Sequence, residues 1–135
     1  DNYYQYNSTS NFIFRCFNLV RKIIKIPYII SYKKAIKHSV FNEDYRDDVF
    51  PTMMPNWDHT PRSGRGGTVL HNATPELFKI HAKGILSTTQ KKPQNKRIVF
   101  LKSWNEWGEG NYMEPDLKYG KGFICALKET LEKIK

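Results

Sequence analysis

The stretch Arg97-Ile98-Val99-Phe100-Leu101-Lys102-Ser103 runs straight into Trp104-Asn105-Glu106-Trp107-Gly108-Glu109-Gly110. Within the first seven, Ile98-Val99-Phe100-Leu101 is a continuous apolar run that opens on two β-branched residues, the pattern of a strand buried on both faces of a parallel sheet. The next seven put two acids, two indoles and two glycines at the carboxyl end of that strand. Upstream, Thr74-Pro75-Glu76 is a helix start: a hydroxyl for the N-cap, a proline at the first helical position and an acid at the positive end of the dipole. Leu77, Phe78, Ile80, His81, Ile85 and Leu86 give this helix its apolar face, Gly84 weakens it, and it ends near Gln90 ahead of Pro93. Val49-Phe50-Pro51-Thr52-Met53-Met54-Pro55 reads as a second buried strand, although its prolines pull it toward a sheet edge. Residues 122–134 form a closing helix with Phe123, Ile124, Leu127, Leu131 and Ile134 on one side. Strand, helix, strand, helix is the order of parallel strands joined by right-handed crossovers.

Ligands of such α/β sheets sit at the carboxyl ends of the strands. The first strand delivers Asn56-Trp57-Asp58-His59-Thr60-Pro61-Arg62 there, and adjacent strands bring it beside residues 104–110. Glu106 and Glu109 are three residues apart, so a helical turn sets their Cβ atoms about 5–6 Å apart on one side. Retaining glycosidases hold two carboxyls about 5–5.5 Å apart. Trp104 and Trp107 flank the pair; indoles stack on sugar faces and exclude water, which favours a protonated carboxyl and suits a general acid. Gly108 and Gly110 allow a sharp bend and close approach to a ligand. Asn105 and Asp58 are candidates to hold sugar hydroxyls, while Glu114 and Asp116 either bind the same ligand or shape the loop. The competing reading makes the indoles core residues and the acids solvated charges. Arg62 and Arg65, in Arg62-Ser63-Gly64-Arg65-Gly66-Gly67, are the cations a diphosphate leaving group needs; otherwise they belong to a long solvated loop over residues 56–73.

Further out, residues 1–44 read as a helical N-terminal segment and 45–135 as the βαβα part. Phe12, Ile13, Cys16, Phe17, Val20, Ile23 and Ile24 form one face of a helix over residues 10–25, opposite Arg15, Asn18, Arg21 and Lys22, with Ser8 or Ser10 as N-cap. Pro27 interrupts it, a short helix follows at 31–37, and 38–48 and 104–119 read as loops. The chain has 135 residues, enough for one domain, and an aromatic share of 14% argues for a folded core rather than disorder. The net charge of +9 is spread along the chain. A solvated surface is the first reading of it, and attraction to anionic membrane headgroups or phosphorylated substrates the second. No nucleic-acid motif is present, and a polyanion binder has no use for two acids in its groove. No stretch nears the ~18 apolar residues of a membrane span. Asp1-Asn2-Tyr3-Tyr4 is not a secretory leader, so the expected place is the cytoplasm, peripherally at the inner membrane face at most. Cys16 and Cys125 lack zinc spacing and read as buried free thiols in a reducing compartment. His38, His71 and His81 read as surface or packing histidines, and the sequons at Asn7 and Asn72 carry no weight without a secretory route.

Residues 103–116, Ser-Trp-Asn-Glu-Trp-Gly-Glu-Gly-Asn-Tyr-Met-Glu-Pro-Asp, closely resemble the signature of the WbsX-type polysaccharide-biosynthesis proteins, described as glycosyltransferases with a glycoside hydrolase family 99-like domain. Residues 56–62 resemble that family's Trp-Asp-Asn-Thr-x-Arg segment, with His59 where Asn is more usual. The resemblance covers roughly residues 45–135. It implies a (β/α)8 TIM-like barrel; such barrels need about 200–250 residues, so this chain would supply the C-terminal portion, parallel strands alternating with helices. It implies Glu106 as base and Glu109 as general acid/base, acting with retention on α-mannosides through an epoxide-like intermediate formed by the sugar's own 2-hydroxyl. Trp57, Asp58, His59, Arg62, Trp104, Asn105, Trp107 and Glu114 are the implied substrate contacts, with a carbohydrate or nucleotide sugar as ligand, no metal or other cofactor and no obligate protein partner. The hydrolases commonly carry His where Gly108 stands, which leaves transfer from a nucleotide sugar open beside hydrolysis, and an inactive barrel fragment is the remaining alternative.

Overall fold

A computed structural model of the chain describes residues 11–24 and 26–134. The proposed caps Ser8 and Ser10 and the sequon at Asn7 lie outside the described residues. The chain is mixed α/β. In order it forms α1 (Asn11–Ile23), β1 (Tyr28–Ser31), α2 (Tyr32–Ile36), β2 (Thr52–Met53), α3 (Thr60–Ser63), β3 (Thr68–His71), α4 (Pro75–Gln90), β4 (Phe100–Leu101), β5 (Asn105–Glu106), β6 (Asn111–Tyr112) and α5 (Gly122–Glu132). Short 3-10 turns fill several connections.

The expected parallel pairing of the two strands that carry the motifs is present: β2 lies beside β4, with Thr52 opposite Phe100 and Met53 opposite Leu101. The ladder is short because Pro51 and Pro55 bracket β2 and have no N–H to give. Their neighbours still serve it, Phe100 N–H donating to the Pro51 carbonyl and Lys102 N–H to that of Met53, both at 2.9 Å. α4 forms where its capping sequence places it, with Leu77 N–H donating to Thr74 Oγ1 at 3.3 Å. Met53, Phe78, Ala82, Ile85, Leu86, Met113, Phe123 and Ala126 make the core between α4, α5 and the β2–β4 pair.

Several expectations are corrected. The loop over 56–73 contains β3, which pairs in parallel with β1, a strand hidden behind Pro27 in the sequence, from Tyr28 opposite Thr68 to Ser31 opposite His71. The loop over 104–119 contains the β5–β6 hairpin. β4 is covered on one face rather than two: Ile98 and Phe100 are exposed while Val99 and Leu101 pack on the core. Ile80 is exposed because the buried stripe of α4 runs through Phe78, His81, Ala82 and Ile85. Cys16 and Cys125 are free as expected but exposed rather than buried.

His81 ties α4 to the strand that carries the first motif. Met54 N–H donates to Nε2 at 3.1 Å, which makes that nitrogen the acceptor and leaves Nδ1–H to meet Ser39 Oγ at 2.9 Å. Ser39 Oγ donates in turn to the Ile36 carbonyl at 2.8 Å. Burial pushes the His81 imidazole from its ordinary 6.5 down to about 4. Between those values the unfolded chain binds a proton that the folded chain refuses, so this contribution is complete above pH 6.5 and is lost as pH falls toward 4. Urea unfolding at pH 7.5 and 4.5 should show about 2–3 kcal/mol lost from this group. His81→Gln keeps an acceptor for Met54 N–H and should show that much less pH dependence; equal slopes for the two proteins would remove the assignment.

Candidate functional site

The two motifs meet at the carboxyl ends of β2 and β4. Residues 57–59 lie between two partners. On one side His59 N–H donates to the Thr68 carbonyl at 2.9 Å and Leu70 N–H to the Trp57 carbonyl at 2.8 Å. On the other, Asp58 N–H donates to the Glu109 carbonyl at 2.9 Å. Two asparagines clasp the motifs together: Tyr112 N–H donates to Asn56 Oδ1 at 2.8 Å, and Asn111 Nδ2 donates to the Asn56 carbonyl. Ser103 holds the chain between β4 and β5, donating to the Asn111 carbonyl at 2.7 Å and accepting from Glu106 N–H at 3.2 Å.

Trp107–Glu109 is one 3-10 turn between β5 and β6. Three residues per turn superimpose positions three apart, so Glu106 and Glu109 leave the backbone on one side. Arg62 reaches both: Nη1 donates to Glu109 Oε1 at 2.6 Å and Nη2 to Glu106 Oε1 at 3.3 Å. Glu109 is the more enclosed acid, its side chain 13% exposed against 43% for Glu106. His59 Nε2 stands 3.6 Å from the same Glu109 oxygen, with Nδ1 2.9 Å from Ser63 Oγ. Asp58 turns the chain into α3, Oδ1 accepting from Thr60 N–H at 2.9 Å and from its hydroxyl at 2.5 Å.

The indoles take other partners. Trp107 stacks on Tyr112 with ring centroids 3.8 Å apart, and its Nε1–H donates to Glu114 Oε2 at 2.7 Å. Trp104 lines an apolar groove with Ile124, Leu127 and Leu131 of α5. Trp57 lies under Lys102, whose Nζ is 4.3 Å from the ring centroid. Asn105 is exposed in β5 opposite Tyr112. Asp116 shapes its loop, Oδ1 accepting from the N–H groups of Lys118 and Tyr119. Arg65 is exposed in the 3-10 turn after α3. Sequence reading passed over Tyr112, Lys102 and the two clasping asparagines, although the asparagines sit inside the quoted motifs. Their signal was position, one at the exit of each strand segment. Among the described residues no group of three or more His, Cys, Asp or Glu is arranged to hold a metal ion.

Gly110 lets the second motif close on the first. It has φ +50°, and a Cβ there would stand 2.8 Å from the Asp58 Cβ. Gly110→Ala should therefore cost ~2 kcal/mol or more in urea unfolding, from left-handed strain and the clash together. Gly66→Ala, with nothing within 4 Å of the added carbon, should stay within about 0.5 kcal/mol. Equal effects at both positions would show that the Asp58 contact does not govern the site.

Two curated relatives, each named "Uncharacterized protein WxcX" and coming from two strains of Xanthomonas campestris pv. campestris, are 35% identical to the chain over 85 residues. That match covers 62% of this chain and 12% of each relative, so the chain spans a small part of their length. No solved structure matches. The model of the family Glycosyltransferase WbsX matches residues 2–127, nearly the whole chain, and the chain belongs to that family.

Proposed function

We propose that the chain supplies the carboxylate-pair wall of a carbohydrate site, and that the reaction served there is glycosyl transfer in the synthesis of a surface polysaccharide. The single observation that carries this reading is the joint placement of Glu106 and Glu109 on one guanidinium. The fold that accounts for it is the C-terminal portion of a (β/α)8 barrel, with β2, α4, β4 and α5 as successive units and the motifs at the strands' carboxyl ends.

Glu106 and Glu109 each present an oxygen as acceptor to one guanidinium. That suits a base better than an acid. Glu106, the more open carboxylate, takes the proton from an acceptor hydroxyl as the hydroxyl oxygen attacks the anomeric carbon. The bond to the departing diphosphate breaks, and its electron pair leaves with the diphosphate oxygen. Arg62 has five N–H donors and gives two to the acids; the others serve the charge gathering on the leaving group. Glu109, held by Arg62 and near His59, fixes that cation. The Trp107–Tyr112 stack, with Glu114 locking the indole, is a platform for a sugar ring. The opposing view, a non-catalytic binder of anionic polymer, is disfavoured because two acids offset the cation at the site's centre.

Thermal melts with a panel of mannose-containing glycans and nucleotide sugars test the ligand class, the binding compound raising the transition at low and high salt alike. Glu106→Gln should lower transfer from a nucleotide sugar by about 10²–10⁴-fold with an unchanged melt. Glu109→Gln should spare more transfer than Glu106→Gln does, whereas hydrolysis of an unactivated glycoside through Glu109 would vanish. Full activity in Glu106→Gln sinks the proposed base.

A further inference from the structure

The transfer reaction gives the His59 imidazole no task of its own. His59 starts α3, its carbonyl accepting from Ser63 N–H at 2.9 Å, and its own N–H donates to the Thr68 carbonyl at 2.9 Å. The backbone of Glu109 is pinned as well, its carbonyl accepting from Asp58 N–H at 2.9 Å. Two neighbours in sequence, Asp58 and His59, thus set the imidazole against this acid, with Nε2 3.6 Å from Oε1. The two side chains are 29% and 13% exposed, against 57% for Arg62. Glu109 Oε1 already accepts from Arg62 Nη1 at 2.6 Å. A carboxylate oxygen has two lone pairs and can take a second donor.

Which ring nitrogen carries the proton decides whether His59 is that donor. Ser63 Oγ lies 2.9 Å from Nδ1 and 3.4 Å from Nε2. Turned to the nearer nitrogen, the hydroxyl proton makes Nδ1 the acceptor and leaves the ring proton on Nε2, facing Glu109. The Trp57 ring flanks the imidazole at 5.8 Å between centroids, and an indole has no acceptor to compete for that proton. A separation of 3.6 Å is an ion-pair distance, longer than a hydrogen bond. Catalytic contacts are often long in the free site and tighten when a ligand binds.

We propose that His59 is a positioning residue, a second hold on Glu109 that keeps this carboxylate in place when Arg62 turns to the charge of the leaving group. The inference rests on the transfer reading above and deepens it, since that reading asks Arg62 both to hold the acids and to meet the diphosphate. Nitrogen-15 spectra of the intact protein test the contact without any substrate. The His59 Nε2 resonance, assigned by its loss in His59→Gln, should move in Glu109→Gln several times further than in Asp47→Asn, an exposed acid in the loop before β2. Equal movement overturns the proposal, and these spectra decide even where His59→Ala fails to fold. In transfer from a nucleotide sugar, His59→Ala should lower kcat about 10–100-fold and leave KM within about twofold. His59→Gln, whose amide nitrogen reaches the place of Nε2, should recover most of that loss. A raised KM with kcat unchanged would make His59 a substrate contact and overturn the proposal, as would parental kcat in His59→Ala or no recovery in His59→Gln. Full transfer in Glu106→Gln, with the His59 results as expected, would remove the proposed base and leave the hold on Glu109 standing.

Discussion

One guanidinium between two carboxylates is the interaction on which the site depends. Bringing the carboxyl ends of β2 and β4 together also brings Glu106 and Glu109 to one spot, and like charges at that range repel. Arg62 comes from the other motif, so the attraction that offsets this repulsion is also an attraction between the motifs. Its bond to Glu109 is the shorter at 2.6 Å, and Glu109 is the less exposed of the two acids. Its bond to Glu106 is longer and more solvated. The two acids are therefore unequal in distance from the arginine and in exposure.

The frame around this charge triad is mostly backbone. The β2–β4 ladder is only two residue pairs long, too little to fix the relative position of two loops by itself. The rest comes from the Asp58–Glu109 backbone bond, the two bonds Asn56 accepts from Asn111 Nδ2 and the Tyr112 N–H, and the pairing of residues 57–59 with β3. Each needs close approach, and two glycines supply it. A Cβ at Gly67 would lie 2.9 Å from the His59 carbonyl carbon, much as one at Gly110 would strike Asp58. Both glycines act on the same short segment from opposite sides. Neither makes room for a ligand, which is the role the sequence alone suggested for Gly110.

Where the sequence was legible, a local rule had no competitor. The Thr74 cap, Pro75 and the 3.6-residue apolar stripe specify α4 without reference to anything else, and the helix forms as written. The meeting of the motifs was also legible, because parallel strands leave little choice about which ends lie together. β1 and β3 were not. Each is four residues long, β1 follows directly on Pro27, and β3 hides in a glycine-rich stretch, so their pairing is a tertiary event that no local pattern announces. The indoles were misread for a related reason. Proximity in sequence to Glu106 and Glu109 suggested that Trp104 and Trp107 wall the acids, but alternation along the backbone sends Trp104 toward α5, while Tyr112 across the hairpin captures Trp107. The strand 97–103 misled by composition: Ile98 and Phe100 look like core, yet period-two burial leaves them on the open face.

The distribution of charge joins these points. Glu106 and Glu109 meet on Arg62 within a basic chain. The surplus behind the net charge of +9 lies elsewhere, much of it in the segment before Glu43. A protein using one broad electropositive field to gather an anionic polymer would not place its acids at the centre of its binding groove. Here the two acids stand at the centre instead, and a single arginine from the other motif holds both in place.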